Sequence, residues 1–266
     1  MEWNPETLHF LSQCFLNTLS PDHDPRRRAE ATLSEAADRP NYALAVLRLF
    51  SEPSVHDQIR QSAAVNFKNH LKAHWAPKPN DPLQVIVPDP EKQPSKSLIL
   101  TLMVNSSPII QAQLSEALTI NGNHDFPKAW PTLLPQLVAT LDKLNQANDY
   151  VSVNGVLTAI NSLFKKFRYQ FKTNELLLDL KYCLDSFAKA LLEVFKRTAG
   201  FIDQAVGSRA VDVSVLKSYI ESQRLCCRIF YPLNFMELPE FFEDHMDEWI
   251  IEFNKYLTVK IFCSGR

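Results

Sequence analysis

Asp125-Phe126-Pro127-Lys128-Ala129-Trp130-Pro131-Thr132-Leu133-Leu134-Pro135 is the stretch of this sequence that says most about its fold. Proline fixes φ and has no amide hydrogen, so the prolines in this stretch make a rigid entry into the helix that follows. Phe126 and Trp130 have large aromatic side chains, and burying them between packed helices strongly stabilises the fold. We therefore predict that this stretch joins two helical hairpins and buries both aromatic rings.

Apolar residues recur at helical spacing on both sides of this stretch. Upstream, one side of a predicted helix over 54–75 carries an apolar residue every four positions: Ile59, Ala63, Phe67, Leu71 and Trp75. Its opposite face is predicted to carry Arg60, Lys68, Lys72 and three histidines. Downstream, residues 136–231 contain no proline, and the same pattern predicts long helices over 150–168, 173–202 and 211–230.

The prolines and one glycine mark where the remaining helices should begin and end. Six prolines fall within residues 77–94, and they predict a loop there rather than a strand or a helix. Gly122 is predicted to cap the C-terminal end of a helix over 108–120. A last helix is predicted over 239–257, followed by a divergent tail over 258–266.

This pattern predicts an all-α protein of about eleven helices joined by short links. Consecutive helices should pack as antiparallel hairpins of about 35–45 residues, the period of HEAT or armadillo repeats. In such solenoids each hairpin buries its apolar face against its neighbours. We predict about five and a half HEAT-type hairpins; a single closed helical bundle is the alternative.

The composition supports an ordinary folded, helix-rich protein. The chain has 266 residues, a formal net charge of −2 and 45% hydrophobic residues, so it has neither the charge of a general nucleic-acid binder nor the composition of a disordered chain. It contains five glycines, where average usage of about 7% would give nearly four times as many. Folds rich in hairpin turns or glycine-rich nucleotide loops are therefore disfavoured.

Cysteine usage and hydropathy predict a reduced, intracellular protein. The five cysteines have no framework spacing, and no basic segment followed by an apolar stretch begins the chain. The longest membrane-like run spans seven residues, far short of the roughly 20 needed to cross a bilayer. We expect no membrane insertion.

The sequence lacks the usual signatures of catalysis. It has no Gly-x-Ser-x-Gly sequence, phosphate loop or dinucleotide fingerprint. His70 and His74 have the i, i+4 spacing that can chelate a metal, but no third ligand is close in sequence. We therefore predict a protein that is not an enzyme and that has no cofactor and no metal site.

Two kinds of charged patch remain open to interpretation. Basic runs occur at residues 26–28 and 165–168, and an acidic patch includes Glu237, Glu240, Glu243, Asp244, Asp247 and Glu248. Either kind of patch is explained by a solvated helix face. The alternatives are that the basic runs meet an acidic protein partner and that the acidic patch docks a basic segment.

Two stretches resemble the importin-β (karyopherin) superfamily of nuclear transport receptors. The sequence Asp-Phe-Pro-x-x-Trp-Pro at 125–131 resembles a signature near that family's third HEAT repeat, and Ala-Ala-Val-Asn-Phe-Lys-Asn at 63–69, with Trp75, resembles its second repeat. Residues 154–157, 164–169, 172–176 and 238–244 are similar to the branch whose cargo is importin-α. The resemblance covers about residues 1–257.

The resemblance implies a fold and a set of partners. It implies a right-handed superhelical solenoid of importin-β N-terminal type, with Ran-binding-type repeats at 1–120 and further repeats at 121–257. GTP-bound Ran is the implied partner, with importin-α as cargo in the full-length family and nuclear pore proteins as further partners. The implied localisation is the nucleus and the cytoplasm, between which the protein shuttles. No nucleic-acid partner is expected. By position, the residues expected to touch Ran are Arg27, Arg28, Lys68, Asn69 and Lys72.

The sequence departs from that branch in its length, because the transport receptors concerned are much longer. Cargo enclosure needs distant repeats, so we expect weakened Ran binding and no autonomous export. A stand-alone HEAT-repeat scaffold without export activity is the alternative function.

Overall fold

The computed structural model describes residues 1–78, 81, 84–207, 212–236 and 238–258. Within these ranges the chain forms twelve α-helices and one short 3-10 helix, Lys166–Tyr169, and no strand. The α-helices are α1 (Pro5–Thr18), α2 (His23–Ala37), α3 (Tyr42–Ser51), α4 (Asp57–His74), α5 (Asp89–Asn105), α6 (Pro108–Asp125), α7 (Leu133–Gln146), α8 (Tyr150–Lys165), α9 (Asn174–Gly207), α10 (Val213–Asn234), α11 (Glu240–Asp244) and α12 (Met246–Thr258).

The first compact unit comprises Met1–Trp130 and contains three hairpins. Helices α1 and α2, α3 and α4, and α5 and α6 pack as consecutive pairs. The first helices of the pairs form one layer, in which α3 contacts both α1 and α5. In the second layer α4 packs against α6. Each hairpin thus buries its apolar face against the next one, as the repeat pattern predicted.

The second compact unit begins at Pro131 and repeats this scheme. Helix α7 pairs with α8 and α9 with α10, while α7 packs on α9 and α8 on α10. Helices α11 and α12 also pack on α9 and begin a further hairpin. The described residues therefore form five hairpins and part of a sixth, which confirms the predicted repeat count. The domain division at residue 120 stays a prediction, and residues 259–266 of the predicted tail lie outside the described residues.

The prediction of a loop throughout 77–94 is wrong at its C-terminal end. Helix α5 begins at Asp89, with Pro90 in its first turn and Pro94 inside it. A proline in the first turn lacks only an amide hydrogen that has no helical partner anyway. Pro94 lies one turn later, so it removes a single hydrogen bond, to the carbonyl of Pro90, and the helix continues.

The predicted cap at Gly122 and the continuous helix predicted over 239–257 are also wrong. Gly122 is not a terminal cap, because α6 continues to Asp125 and buries Gly122 within it. The carbonyl of Gly122 accepts a hydrogen bond from the amide of Phe126 at 2.9 Å. The helix predicted over 239–257 is interrupted at His245, whose Nδ1 lies 2.8 Å from the carbonyl oxygen of Phe241. A side chain that bonds its own backbone in this way competes with the helical ladder.

The stretch that begins at Asp125 contains a buried ion pair. Lys96 of α5 places its Nζ 2.7 Å from the Asp125 carboxylate, and the Lys96 side chain is only 4% exposed. The Trp75 Nε1–H donates to the same carboxylate at 3.2 Å. Lys96 also donates to the carbonyl of Ala129 at 3.2 Å and lies 5.2 Å from the ring centroid of Trp130. This network ties the end of α4 to α5 and to the end of α6.

The other residues of the stretch are placed as follows. Phe126 and Trp130 are buried, and the peptide bond between Phe126 and Pro127 is cis. Pro131 is the first residue of the second unit, where its carbonyl accepts a hydrogen bond from the Tyr182 hydroxyl at 2.6 Å.

Candidate partner-binding surface

Helix α4 presents several of the residues that the resemblance assigns to Ran binding. Its first turn is fixed to the end of α3, because Arg60 donates to the Phe50 carbonyl at 2.8 Å and to Asp57 at 3.1 Å. Its buried side includes Ala63, Phe67 and Leu71, as the four-residue spacing predicted. Burial of that side orients the opposite side toward solvent.

Position 70 of α4 was placed on the wrong face by the sequence pattern. His70 is buried, and its ring lies edge-on to Tyr42 and stacks on His74 with centroids 4.5 Å apart. Burial, with a smaller contribution from the charge of His74, lowers the pKa of His70 to about 3. His70 is therefore neutral at pH 7, and it packs as an aromatic ring.

A groove of about 420 Å³ lies between α1, α2 and α4. The Tyr42 hydroxyl reaches it and donates to Asn66 Oδ1 at 2.7 Å. Glu30 and Ser34 of α2 and Asn69 of α4 are further polar residues of its lining. The groove is a cleft between the second helices of the first two hairpins, with mainly polar walls.

Arg27 and Arg28 are both exposed on α2 but project in different directions. Arg27 precedes Glu30 and Ser34 by three and seven residues, so it shares their side of the helix and extends the groove wall. Arg28 lies about 100° further round, and its Nε is 3.4 Å from the Asp24 carbonyl. By helix geometry Arg27, rather than Arg28, lies on the side of α2 that lines the groove.

The remaining candidates follow one edge of α4. Asn69 lines the groove, and Lys72 follows it by three residues and is exposed. Lys68 is partly buried and lies 3.5 Å from Glu116 of α6, so an acid of the same unit already neutralises its charge. We define the α2/α4 surface as Arg27, Glu30, Ser34, Asn69 and Lys72.

His70 allows a prediction about pH. Because its pKa is lowered in the folded state, the unfolded chain binds this proton first, and stability falls as pH drops from about 6.5 toward 3. Between pH 7 and pH 5 this should cost about 2 kcal/mol. Urea unfolding of the unmodified chain and of His70→Gln at both pH values measures this loss of stability. If the variant loses as much stability between pH 7 and pH 5, His70 is not the group responsible.

The predicted acidic patch lies in the second unit and spans two short helices. Glu240, Glu243 and Asp244 are exposed on α11. Asp247 and Glu248 lie in the first turn of α12, and Glu248 pairs with Lys196 of α9, which lowers the pKa of its carboxyl group. Glu237 lies outside the described residues.

The basic run at 165–168 meets aromatic residues. Arg168 stacks on Tyr231 at 4.8 Å from the ring centroid and donates to the Arg228 carbonyl at 2.9 Å. Tyr169 and Phe171, which follow it, are exposed.

No group of three potential metal ligands occurs among the described residues. In the same residues no helix is long and apolar enough to cross a membrane. Cys14, Cys183 and Cys226 are buried, and burial raises the pKa of each thiol. Cys263 lies outside the described ranges.

Comparison with protein families gives two matches along the chain. The family described as "Importin-beta N-terminal domain" matches residues 29–105, which include most of α2 and all of α3, α4 and α5. The family described as "Cse1" matches residues 163–264.

Individual relatives agree with these matches. The chain is 40% identical to exportin-2 of Oreochromis niloticus and 38% identical to exportin-2 of Homo sapiens, in each case over 97% of this chain and 26% of the relative. The solved structure of the exportin Cse1 in its cargo-free, cytoplasmic state matches with a TM-score of 0.83 and 26% identity over 95% of this chain and 26% of that one. Lph2, described as a bidirectional nuclear transport receptor of S. cerevisiae, shares the fold with a TM-score of 0.69 and 17% identity, over 94% of this chain and 24% of Lph2.

The fold is a HEAT-repeat solenoid of importin-β N-terminal type, and the relatives that these comparisons match are nuclear transport receptors. More narrowly, the chain is similar to the N-terminal portion of exportin-2, as the sequence predicted. It spans about a quarter of the length of the exportin-2 relatives.

Proposed function

We propose that this chain is a non-enzymatic transport-receptor component that binds the GTP-bound form of Ran through its first hairpins. Through that binding it contributes to the export of importin-α from the nucleus, and it shuttles between nucleus and cytoplasm. The observation that carries the proposal is the match of the importin-β N-terminal domain to residues 29–105, the segment that contains α4 and most of α2.

The α2/α4 surface supports the proposal by its chemistry. Asn69 lines the cleft, and Arg27 and Lys72 are exposed within three residues of other lining residues, Glu30 on α2 and Ala73 on α4. Exposed cations attract acidic groups of a partner and speed its association, and the effect weakens as salt rises. We assign a smaller role to Lys68, which is paired with Glu116, and to Arg28, which lies on another side of α2.

Recognition of the nucleotide state follows from the partner's own switch. A GTPase orders its switch segments around the γ-phosphate and releases them after hydrolysis. A surface that fits the ordered segments binds the GTP form and loses affinity for the GDP form. The chain itself needs no catalytic group for this discrimination.

The test is retention of Ran on the immobilised chain, with Ran loaded either with a non-hydrolysable GTP analogue or with GDP. We expect retention of the GTP form only, and the combined substitutions Arg27→Glu and Lys72→Glu should weaken it by about tenfold or more. The loss should shrink at high salt.

Arg48→Glu is the matched control for Lys72→Glu. Arg48 is exposed on α3 and, like Lys72, lies in the last turn of its helix, so both reversals lose the same interaction with the helix dipole. Binding by Arg48→Glu should stay within about twofold of the unmodified chain. Equal retention of both nucleotide forms, or none, would overturn the proposal and favour a scaffold without export activity.

The cargo part of the proposal has its own measurement. Importin-α should be retained on the immobilised chain only weakly, since enclosure of the cargo is expected to need more distant repeats, but more strongly when GTP-bound Ran is present than when it is absent. Retention that ignores Ran would contradict a role in importin-α export while leaving Ran binding intact.

A further inference from the structure

A second cleft, in the second unit, is not used by the proposed function. It has a volume of about 740 Å³ and lies between α9, the end of α10 and α11. Along α9 it extends from Leu177 to Lys189, which is about 18 Å at a rise of about 1.5 Å per residue. We call it the α9–α11 groove.

The floor of this groove is apolar and partly open to solvent. Leu177 and Leu184 of α9 face Leu238 and Phe241 across it. None of these four side chains is fully buried, and Leu238 is 45% exposed. Apolar side chains gathered in a concave, solvent-open site of this size are typical of surfaces that bind another molecule.

The two walls of the groove differ in charge. On α9, Lys181 lies 3.5 Å from Asp185, so these two charges offset each other, and Lys189 adds a cation. On the opposite wall, Glu240 and Asp244 line the groove, and α11 has no basic residue. Glu243 and Asp247 extend the negative charge beyond the groove.

We propose that the α9–α11 groove docks a short amphipathic segment of another protein, with apolar anchors on one side and lysine or arginine on the other. The anchors fill the floor formed by Leu177, Leu184, Leu238 and Phe241, and the basic side chains lie against Glu240 and Asp244. Docking of an amphipathic helix into an apolar groove is a common mode of peptide recognition. The charged wall sets the orientation of the segment, since it attracts only its basic side.

The test is a fluorescence-anisotropy titration of the full chain with three labelled peptides. The first has leucines at helical spacing with lysines between them, the second replaces every lysine with glutamate, and the third replaces every leucine with alanine. The first peptide should bind at least about tenfold more tightly than either of the others. Equal binding of the glutamate peptide would overturn the role of the acidic wall, and equal binding of the alanine peptide would overturn the role of the floor.

Variants of the chain connect the binding to this groove. Glu240→Lys with Asp244→Lys, and separately Leu238→Ser, should each weaken the first peptide by about tenfold. The controls make comparable changes at exposed positions elsewhere: Glu35→Lys at the end of α2 with Asp38→Lys directly after that helix, and Ile251→Ser on α12.

The controls should bind within about twofold of the unmodified chain. If groove and control variants bind alike, the peptide binds elsewhere and the proposal fails. Light scattering over a range of concentrations tests whether a second copy of the chain fills the groove instead. Dimers of the unmodified chain that Leu238→Ser abolishes would show that it does, and this result would also overturn the proposal.

Discussion

Replacing Asp125 with alanine is expected to lower the free energy of unfolding of the first compact unit by about 3–5 kcal/mol. The substitution leaves the ammonium of Lys96, which is 2.7 Å from the carboxylate, buried without its counter-charge. It also removes the acceptor of the Trp75 Nε1–H. Taking one member from a buried ion pair costs far more than the pair itself contributes, because the remaining charge stays desolvated.

Hydrogen exchange of the amides in α4, α5 and α6 measures this loss. The control is Glu116→Ala, which breaks the more exposed pair with Lys68 in the same unit and should cost less than about 1 kcal/mol. The double substitution Lys96→Met with Asp125→Leu should be less destabilising than Asp125→Ala alone, since no unpaired charge then remains. Similar losses for Asp125→Ala and Glu116→Ala would show that the buried pair is not what holds α5 and α6 together.

Sequence reasoning identified one half of this network and missed the other. Asp125, Phe126 and Trp130 were singled out because prolines and aromatic residues mark them locally. Lys96 was not, because a lysine in an amphipathic helix is ordinarily interpreted as solvent-facing. The signal was present in its register: Lys96 precedes Ile99 and Met103, both buried, by three and seven residues.

The candidate surface was predictable only in part for a similar reason. The apolar stripe through Ala63, Phe67 and Leu71 indicated correctly which side of α4 is buried. The burial of His70 does follow from that register, because His70 comes seven residues after Ala63 and three after Phe67, and it packs on Tyr42 of α3. The groove beside Asn69 does not follow from it, because the groove depends on how closely α1 and α2 approach α4 and not on the helix's own periodicity.

The predicted helix boundaries were wrong where a single type of residue was given too much weight. Six prolines suggested a loop over 77–94, although a proline in the first turn or just after it leaves most of a helix intact. Gly122 was taken as a helix end, but it is buried within α6, which continues to Asp125. A single glycine costs a helix only about 1 kcal/mol, so one glycine is too weak a signal to end a helix.

An aromatic cluster fastens the last two helices to the rest of the second unit. Trp249 of α12 is fully buried, with its ring centroid 4.6 Å from that of Phe195 on α9 and 4.8 Å from that of Phe230 on α10. Phe242 of α11 lies 5.7 Å from the same ring. The ion pair between Lys255 and Asp203 also links α12 to α9, but it is solvent-exposed and such pairs contribute at most about 1 kcal/mol.

Trp249→Ala is therefore expected to cost the second unit about 3–5 kcal/mol, because it removes the central ring and leaves a cavity lined by the neighbouring aromatic side chains. The indole Nε1–H has no hydrogen-bond partner among the described residues. Trp249→Phe therefore keeps an aromatic ring, loses no such bond and should cost about half as much.

Ile251→Ala on the same helix is the control. Its side chain is 58% exposed, and its removal should change stability by less than about 0.5 kcal/mol. Urea unfolding together with hydrogen exchange in α9, α10 and α12 measures all three variants. Should Trp249→Ala prove as mild as Ile251→Ala, the exposed ion pairs rather than the aromatic cluster would have to hold α11 and α12 in place.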